Sequence, residues 1–273
     1  MFPMRLEIIP SEGIIEKIQS AVPLTTTLTV TCLPHHGTGR TMRTAAQLSS
    51  LGYTVVPHIA ARSLADRSQL AGIIRECGGS GISEVFAVGG DAPQPAGPFA
   101  NGGELLCEIA DISGGQMAVG VAGYPEGHPG IGPLQLLESL LAKQELASNV
   151  VTQMCFSADS IHSYTAMLRR EGVTLPVLAG VAGAVQRTRL IALATKIGVG
   201  TSVRFLSGKR SLARRLLSGE RYSPGTLINE LTAQPVVDGI HLYSFNCFDE
   251  LPGTVAASST ERSATTSHGN THV

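Results

Sequence analysis

The sequence predicts a single-domain (β/α)8 barrel, the TIM-barrel architecture of the α/β class, and three observations carry that prediction. Short apolar runs recur eight times along the 273 residues. Helix-length segments separate most of them, and unusual polar residues gather just after the runs. The length exceeds the usual ~100–200 residues per domain, yet one barrel of ~250 residues accounts for it.

In chain order the runs are Arg5–Ile9, Thr27–Cys32, Thr54–Ile59, Glu84–Val88, Met117–Ala122, Val150–Met154, Thr174–Ala179 and Gly239–Tyr243. Most are rich in Val, Ile or Thr and about five residues long, as parallel strands buried on both faces require. Amphipathic stretches such as Gly132–Ala147 and Ser160–Arg170 supply the crossover helices. A doubly wound open sheet has the same periodicity, so closure into a barrel is the favoured but not the sole architecture.

Two segments break the beat. Thr201–Pro235 has room for two extra helices and carries a basic cluster, Lys209, Arg210, Arg214, Arg215 and Arg221, which reads as a solvated helix face. The tail from Thr254 to Val273 is small and polar and cannot bury enough apolar surface to offset its ordering entropy. The expected organisation is therefore a catalytic barrel over residues 1–253 and a disordered tail over 254–273.

Composition narrows the partners. Hydrophobic residues make up 43% and charged residues 15%, with a net charge of −1, which argues against a nucleic-acid partner. No run approaches the roughly 18 apolar residues of a membrane span, and Met1–Pro10 does not read as a signal peptide. Five cysteines, an odd and scattered set without a CxxC pair, read as reduced thiols in the cytoplasm. A homo-oligomer is compatible with the sequence.

In such a barrel the active site lies at the C-terminal ends of the strands. Glu7 sits among Leu6, Ile8, Ile9 and Pro10. A carboxylate losing hydration there is biased toward its neutral acid, the form that can protonate a substrate, unless it pairs with a cation such as Arg5. Thr31 closes the second run and His58 the third. Gly90 and Asp91 follow the fourth, where a glycine lets backbone approach a ligand and an acid can accept two N–H donors of a planar heterocycle. The competing reading of Asp91 is a turn cap. Tyr124, Glu126 and His128 follow the fifth run and Gln153 lies in the sixth; either histidine could equally be a hydrogen-bonded core residue. No metal site is assigned.

In this order the residues resemble the methylenetetrahydrofolate reductase family from about Leu6 to Asn246. Leu6–Pro10 is similar to its opening F-E-F-F-P strand, Pro57-His58 to its P-H-L/I segment, and Gly90-Asp91-Ala92-Pro93 to its R-G-D-x-P loop. Tyr124–Pro129 matches Y-P-E-x-H-P nearly residue for residue. Thr152-Gln153 matches I-T-Q, and His241–Asn246 resembles H-F-Y-T-L-N. The resemblance implies reduction of 5,10-methylenetetrahydrofolate to 5-methyltetrahydrofolate with electrons from NAD(P)H, a step that serves methionine biosynthesis. It implies Glu7 as the acid that protonates N10, Asp91 facing the pterin, and Gln153 and Thr31 binding the folate. Thr31, His58, Gly90, Tyr124, His128 and Lys143 would line the cofactor. The family default is FAD, but the departures fall on its contacts: the arginine before Gly-Asp is Gly89 here, and the D-x-x-N-L-x-R-K helix keeps only Lys143. The expectation is that FAD binds weakly or not at all and that NAD(P)H hands over its hydride directly. Two rivals remain: a zinc-dependent methyltransferase using Cys32, His35, His36, Cys155 and Cys247, and a non-catalytic folate-binding paralogue.

Overall fold

A computed structural model of the protein describes residues 2–34, 36–186, 190, 221–234, 236–248 and 251. Seven strands come first: β1 (Met4–Ile8), β2 (Thr27–Val30), β3 (Val55–Ala60), β4 (Glu84–Val88), β5 (Ala118–Gly123), β6 (Asn149–Thr152) and β7 (Val177–Ala182). Then β8 (Val185–Gln186) and β9 (Arg221–Tyr222) pair as a short antiparallel ribbon, and β10 (Gly239–Tyr243) follows. β1–β7 and β10 close into a parallel barrel, with β10 hydrogen-bonded to both β7 and β1. Closure excludes the open sheet. Outside lie α1 (Ile14–Ala21), α2 (Gly37–Ser50), α3 (Arg67–Gly79), α4 (Gly102–Ser113), α5 (Pro133–Lys143), α6 (Ala158–Arg170) and α7 (Gly225–Ala233).

Strand periodicity assigns the two faces of the barrel wall. On β1, Leu6 and Ile8 pack outward with the helix residues Ile14, Ile18 and Leu48. Arg5 and Glu7 alternate with them and reach other strands across the interior, Arg5 to Glu84 and Glu7 to His58. Inside, Val56, Phe86, Val151 and Leu178 form a separate apolar layer. Polar caps start the helices where the sequence offers them. Asp66 accepts the Gln69 N–H at 2.7 Å, and Asn101 accepts from Gly103 and Glu104 at 2.9 and 3.1 Å. Each contact satisfies an N–H that the first helical turn leaves unpaired.

The N-terminal end of the barrel is closed by a polar plug. Glu84 Oε1 accepts from Arg5 Nη1 at 2.6 Å and from Asn149 Nδ2 at 2.7 Å. The eight strands fall on the runs the sequence places, most within two residues at each end; the seventh is displaced by three, spanning Val177–Ala182 in place of Thr174–Ala179. Pro176 has no N–H to give the ladder, while the Val177 N–H is taken by Asp238 at 2.8 Å. The strand then runs through Gly180–Ala182, where β10 pairs with it. Lys209, Arg210, Arg214, Arg215 and the tail from 254 lie outside the described residues; Arg221 is exposed in β9. Among the described residues no helix is long and apolar enough to cross a membrane.

Candidate active site

At the end of the barrel interior opposite the polar plug stands Glu7, which meets side chains from two other strands. It is the fourth residue of β1, in register with Thr29 on β2 and Tyr243 on β10. Its carboxylate Oε2 lies 3.1 Å from His241 Nε2 and 3.7 Å from His58 Nε2. Arg5 is not its partner, because that guanidinium points to the opposite end of the barrel. All three side chains are largely withdrawn from water: 14% exposed for Glu7, 9% for His58 and 1% for His241. Burial, acting against the attraction of Glu7, lowers the His58 pKa to about 4. His58 is therefore neutral at pH 7.

His241 is not among the site residues that the sequence brings forward. It stood in view within His241–Asn246, and the available signal was a histidine two residues before Tyr243, on the same face of a strand. The Tyr243 ring lies 4.8 Å from His241, and its hydroxyl donates to the Thr152 carbonyl at 3.0 Å. The Tyr243 phenol is raised well above its usual pKa by burial, so it serves as a donor and not as a base. Gly180 makes room for this ring; a Cβ there would come within 2.2 Å of the Thr152 carbonyl oxygen and 2.9 Å of Tyr243 Cε2.

Thr31 and Gln153 follow the ends of β2 and β6, on opposite sides of the barrel wall. The Thr31 backbone is fixed by N–H donation to Ile8 at 3.0 Å and by acceptance from the Thr41 hydroxyl at 2.9 Å. Its own Oγ1 is buried without a hydrogen-bond partner, and so is Oε1 of Gln153. Buried polar atoms of this kind cost stability unless something satisfies them, as a ligand would. Gln153 is tied to the fifth strand through its N–H, 2.7 Å from the Gly123 carbonyl.

The remaining expected residues form a rim. Gly90 has φ +87°, and its Cα hydrogen faces Ala60, where a Cβ would meet the Ala60 Cβ at 3.1 Å. Asp91 beyond it is exposed and makes no turn-capping hydrogen bond among the described residues. Its charge reaches Tyr124, whose phenol is raised chiefly by burial and further by Asp91. Tyr124 meets the edge of His128 at 5.2 Å, and its N–H donates to the Tyr164 hydroxyl at 3.3 Å. His128 Nδ1 accepts the Gly130 N–H at 3.1 Å, which commits one ring nitrogen to its own turn. Lys143 stands apart, on the last turn of α5; its Cε would lie 3.3 Å from a Cβ on Gly103, and burial lowers its pKa. Among the described residues no group of three or more His, Cys, Asp or Glu side chains converges to hold a metal ion, and His35 lies outside them. Cys155 is buried, with its thiol raised by desolvation and turned to the Gln153 carbonyl at 3.3 Å.

The fold has wide company. The chain superposes on an oxaloacetate acetylhydrolase solved with the inhibitor 3,3-difluorooxalacetate, with a TM-score of 0.56 at 10% identity, over 96% of this chain and 79% of that one. A 2,3-dimethylmalate lyase gives 0.53 at 10%, over 96% and 81%. At such identity the likeness is one of fold alone. Sequence relatives are more specific. Methylenetetrahydrofolate reductase 2 of Saccharomyces cerevisiae (strain ATCC 204508 / S288c) is 30% identical over 113 residues, 37% of this chain and 19% of its own length. The 5,10-methylenetetrahydrofolate reductase of Pectobacterium carotovorum subsp. carotovorum is 29% identical over 133 residues, 48% of this chain and 44% of its own. A probable methylenetetrahydrofolate reductase (NADH) of Oryza sativa subsp. japonica is 31% identical over 120 residues, 37% of this chain and 20% of its own. The chain thus spans less than half the length of these curated relatives. The family model described as methylenetetrahydrofolate reductase matches residues 13–203, well over half of the 273. Ordered motifs, a closed barrel and this match agree: the chain belongs to the methylenetetrahydrofolate reductase family.

Proposed function

We propose that the protein reduces 5,10-methylenetetrahydrofolate to 5-methyltetrahydrofolate, with hydride taken directly from NAD(P)H in the cytoplasm. The observation that carries the reading is the Glu7 carboxylate, half-buried near the C-terminal end of β1 between His241 and a neutral His58. The family match begins at residue 13, so the role of Glu7 rests on this geometry and on the strand motif around it.

In the reaction Glu7 delivers a proton to N10, the bond from the bridging carbon to N10 breaks, and an N5 iminium remains. Hydride from C4 of the reduced nicotinamide adds to the iminium carbon, giving the 5-methyl group and NAD(P)+. Glu7 then regains its proton from solvent. Thr31 Oγ1 and Gln153 Oε1, both buried without a hydrogen-bond partner, would hydrogen-bond the folate, and Asp91 would accept the pterin N–H donors from the rim. Tyr124 and His128 offer the face and edge on which a flat ring can rest.

A resident flavin does not fit the residues present. A pyrophosphate dianion calls for arginine forks or several N–H donors. Gly89 brings no side chain, and the first turns of α5 present Leu134, 68% exposed, with Leu136 and Leu137. The single basic residue of that helix, Lys143, packs against α4 with its charged form disfavoured by burial. The test is direct: protein purified without added flavin is expected to be colourless and to oxidise NADH or NADPH when methylenetetrahydrofolate is supplied. Stoichiometric FAD in the purified protein, with activity lost on its removal and regained on its return, overturns the direct transfer.

A further inference from the structure

We propose that Arg62 is the positioning residue of the folate site, a staple that fixes the Asp91 loop. The inference rests on the folate-reductase reading for its kinetic consequence, but its structural content stands without it. Arg62 follows β3 and faces the loop Gly89–Ala100 that joins β4 to α4. Backbone and side chain together make five hydrogen bonds to that loop. The Arg62 N–H donates to the Gly89 carbonyl at 3.0 Å, and its carbonyl accepts from the Ala96 N–H at 3.0 Å. Its Nε donates to Ala92 at 2.6 Å, Nη2 to Pro93 at 2.6 Å and Nη1 to Ala100 at 3.2 Å, all to carbonyl oxygens.

The far end of the loop is anchored by Phe99, buried in the core, and by the Ala100 N–H, which Glu104 accepts at 2.6 Å, so the staple bears chiefly on the stretch around Asp91. Pro93, Pro95 and Pro98 supply no N–H, and Asp91 itself caps no turn. Gly97 seats the far side of the loop directly on the chain beside Arg62, since a Cβ there would lie 2.0 Å from the Ala65 carbonyl oxygen. Asp91 adjoins Ala92, one of the three stapled carbonyls, so the guanidinium sets where its carboxylate stands.

The same geometry says what Arg62 does not do. Each of its three nitrogens is committed to a carbonyl, so it is not a free receptor for phosphate in place of the arginine absent at Gly89. Only a planar fork reaches three separate carbonyls; an ammonium is a point donor on a flexible stem. Lysine at this position keeps the charge and loses the staple.

The experiment compares Arg62→Ala and Arg62→Lys with the wild-type chain by amide hydrogen exchange and by steady-state kinetics. Both variants are expected to exchange faster across residues 89–100, with the barrel strands unchanged. Both should raise KM for methylenetetrahydrofolate about tenfold while KM for the nicotinamide stays within about twofold, the split expected when a folate contact loses its aim. Recovery of folate KM in Arg62→Lys assigns Arg62 to charge recognition and overturns the proposal, as does unchanged exchange over 89–100. Faster exchange with folate KM unaltered also overturns it, since the staple then does not serve the site. If the wild-type chain fails to turn over the folate, the functional reading fails in that assay alone. The exchange comparison needs no substrate and decides the staple by itself.

Discussion

Glu7 and His241 face each other across the seam where β1 meets β10, with Oε2 and Nε2 3.1 Å apart. They are 234 residues apart in the chain, and the seam exists only because the barrel closes. With its hydrogen on Nε2, the His241 ring donates to the carboxylate and holds one oxygen in place. On the proposed reading, the other oxygen meets the substrate.

Replacing Glu7 by Gln preserves shape and hydrogen bonding but removes the proton. We expect kcat to fall by about two to four orders of magnitude, the usual worth of a general acid, with folate affinity nearly unchanged. Single-turnover measurement of the hydride step checks this. A variant that keeps more than about a tenth of wild-type turnover, with chemistry rate-limiting, removes Glu7 from the role.

Asp91 is an exposed rim carboxylate that makes no hydrogen bond among the described residues. Asp91→Ala should weaken folate binding by about 1–3 kcal/mol, the range for a hydrogen bond to a charged group, while stability is unaltered. Titration calorimetry with the folate reads the first and thermal unfolding the second. An unchanged Kd returns the residue to the surface.

His58 gives stability a defined pH dependence. Its folded pKa is about 4, against 6.5 for the free side chain. Between those values the unfolded chain takes up a proton that the folded chain refuses, so stability falls as pH is lowered from 6.5 toward 4 and is unaffected above 6.5. At pH 4.5 the loss from this one group is about 2–3 kcal/mol. Urea unfolding at pH 7.5 and 4.5 should show His58→Gln losing less on acidification than the wild type does. Equal losses contradict the assignment.

Glu84 should separate stability from catalysis. It joins Arg5 to Asn149 at the N-terminal end of the barrel, far from the ligand-facing ends of the strands. Glu84→Ala leaves the partly buried Arg5 without its counter-charge and should cost about 2 kcal/mol. kcat and both KM values should remain those of the wild type. Lost activity in a variant that is still fully folded contradicts the division of the two ends.

Local pattern was enough for the eight strands, because a parallel strand buried on both faces must be apolar through its length, and such runs are visible without knowing their neighbours. It was also enough to bring Glu7, His58, Asp91 and Gln153 forward, since polar residues at the ends of apolar runs stand out in any barrel. The start of β7 escaped because Thr174–Pro176 has strand-like composition, and only the missing Pro176 N–H and the pairing with β10 move the ladder to Val177.

What tertiary structure alone decided is who meets whom. Arg5 lies two residues from Glu7 on the same strand face and was its natural partner in the sequence, yet it pairs with Glu84, 79 residues away. Glu7 instead meets His241 and His58, brought in by β10 and β3. Arg62 carries no motif within Ala60-Ala61-Arg62-Ser63, because its role resides in carbonyls 30 to 38 residues further along. The physical reason is common to all three. Burial and periodicity are properties of a segment and its solvent, so the sequence determined them unaided. A hydrogen bond or ion pair depends on geometry within about 3 Å, and only closure of the barrel brings such distant parts of the chain that near.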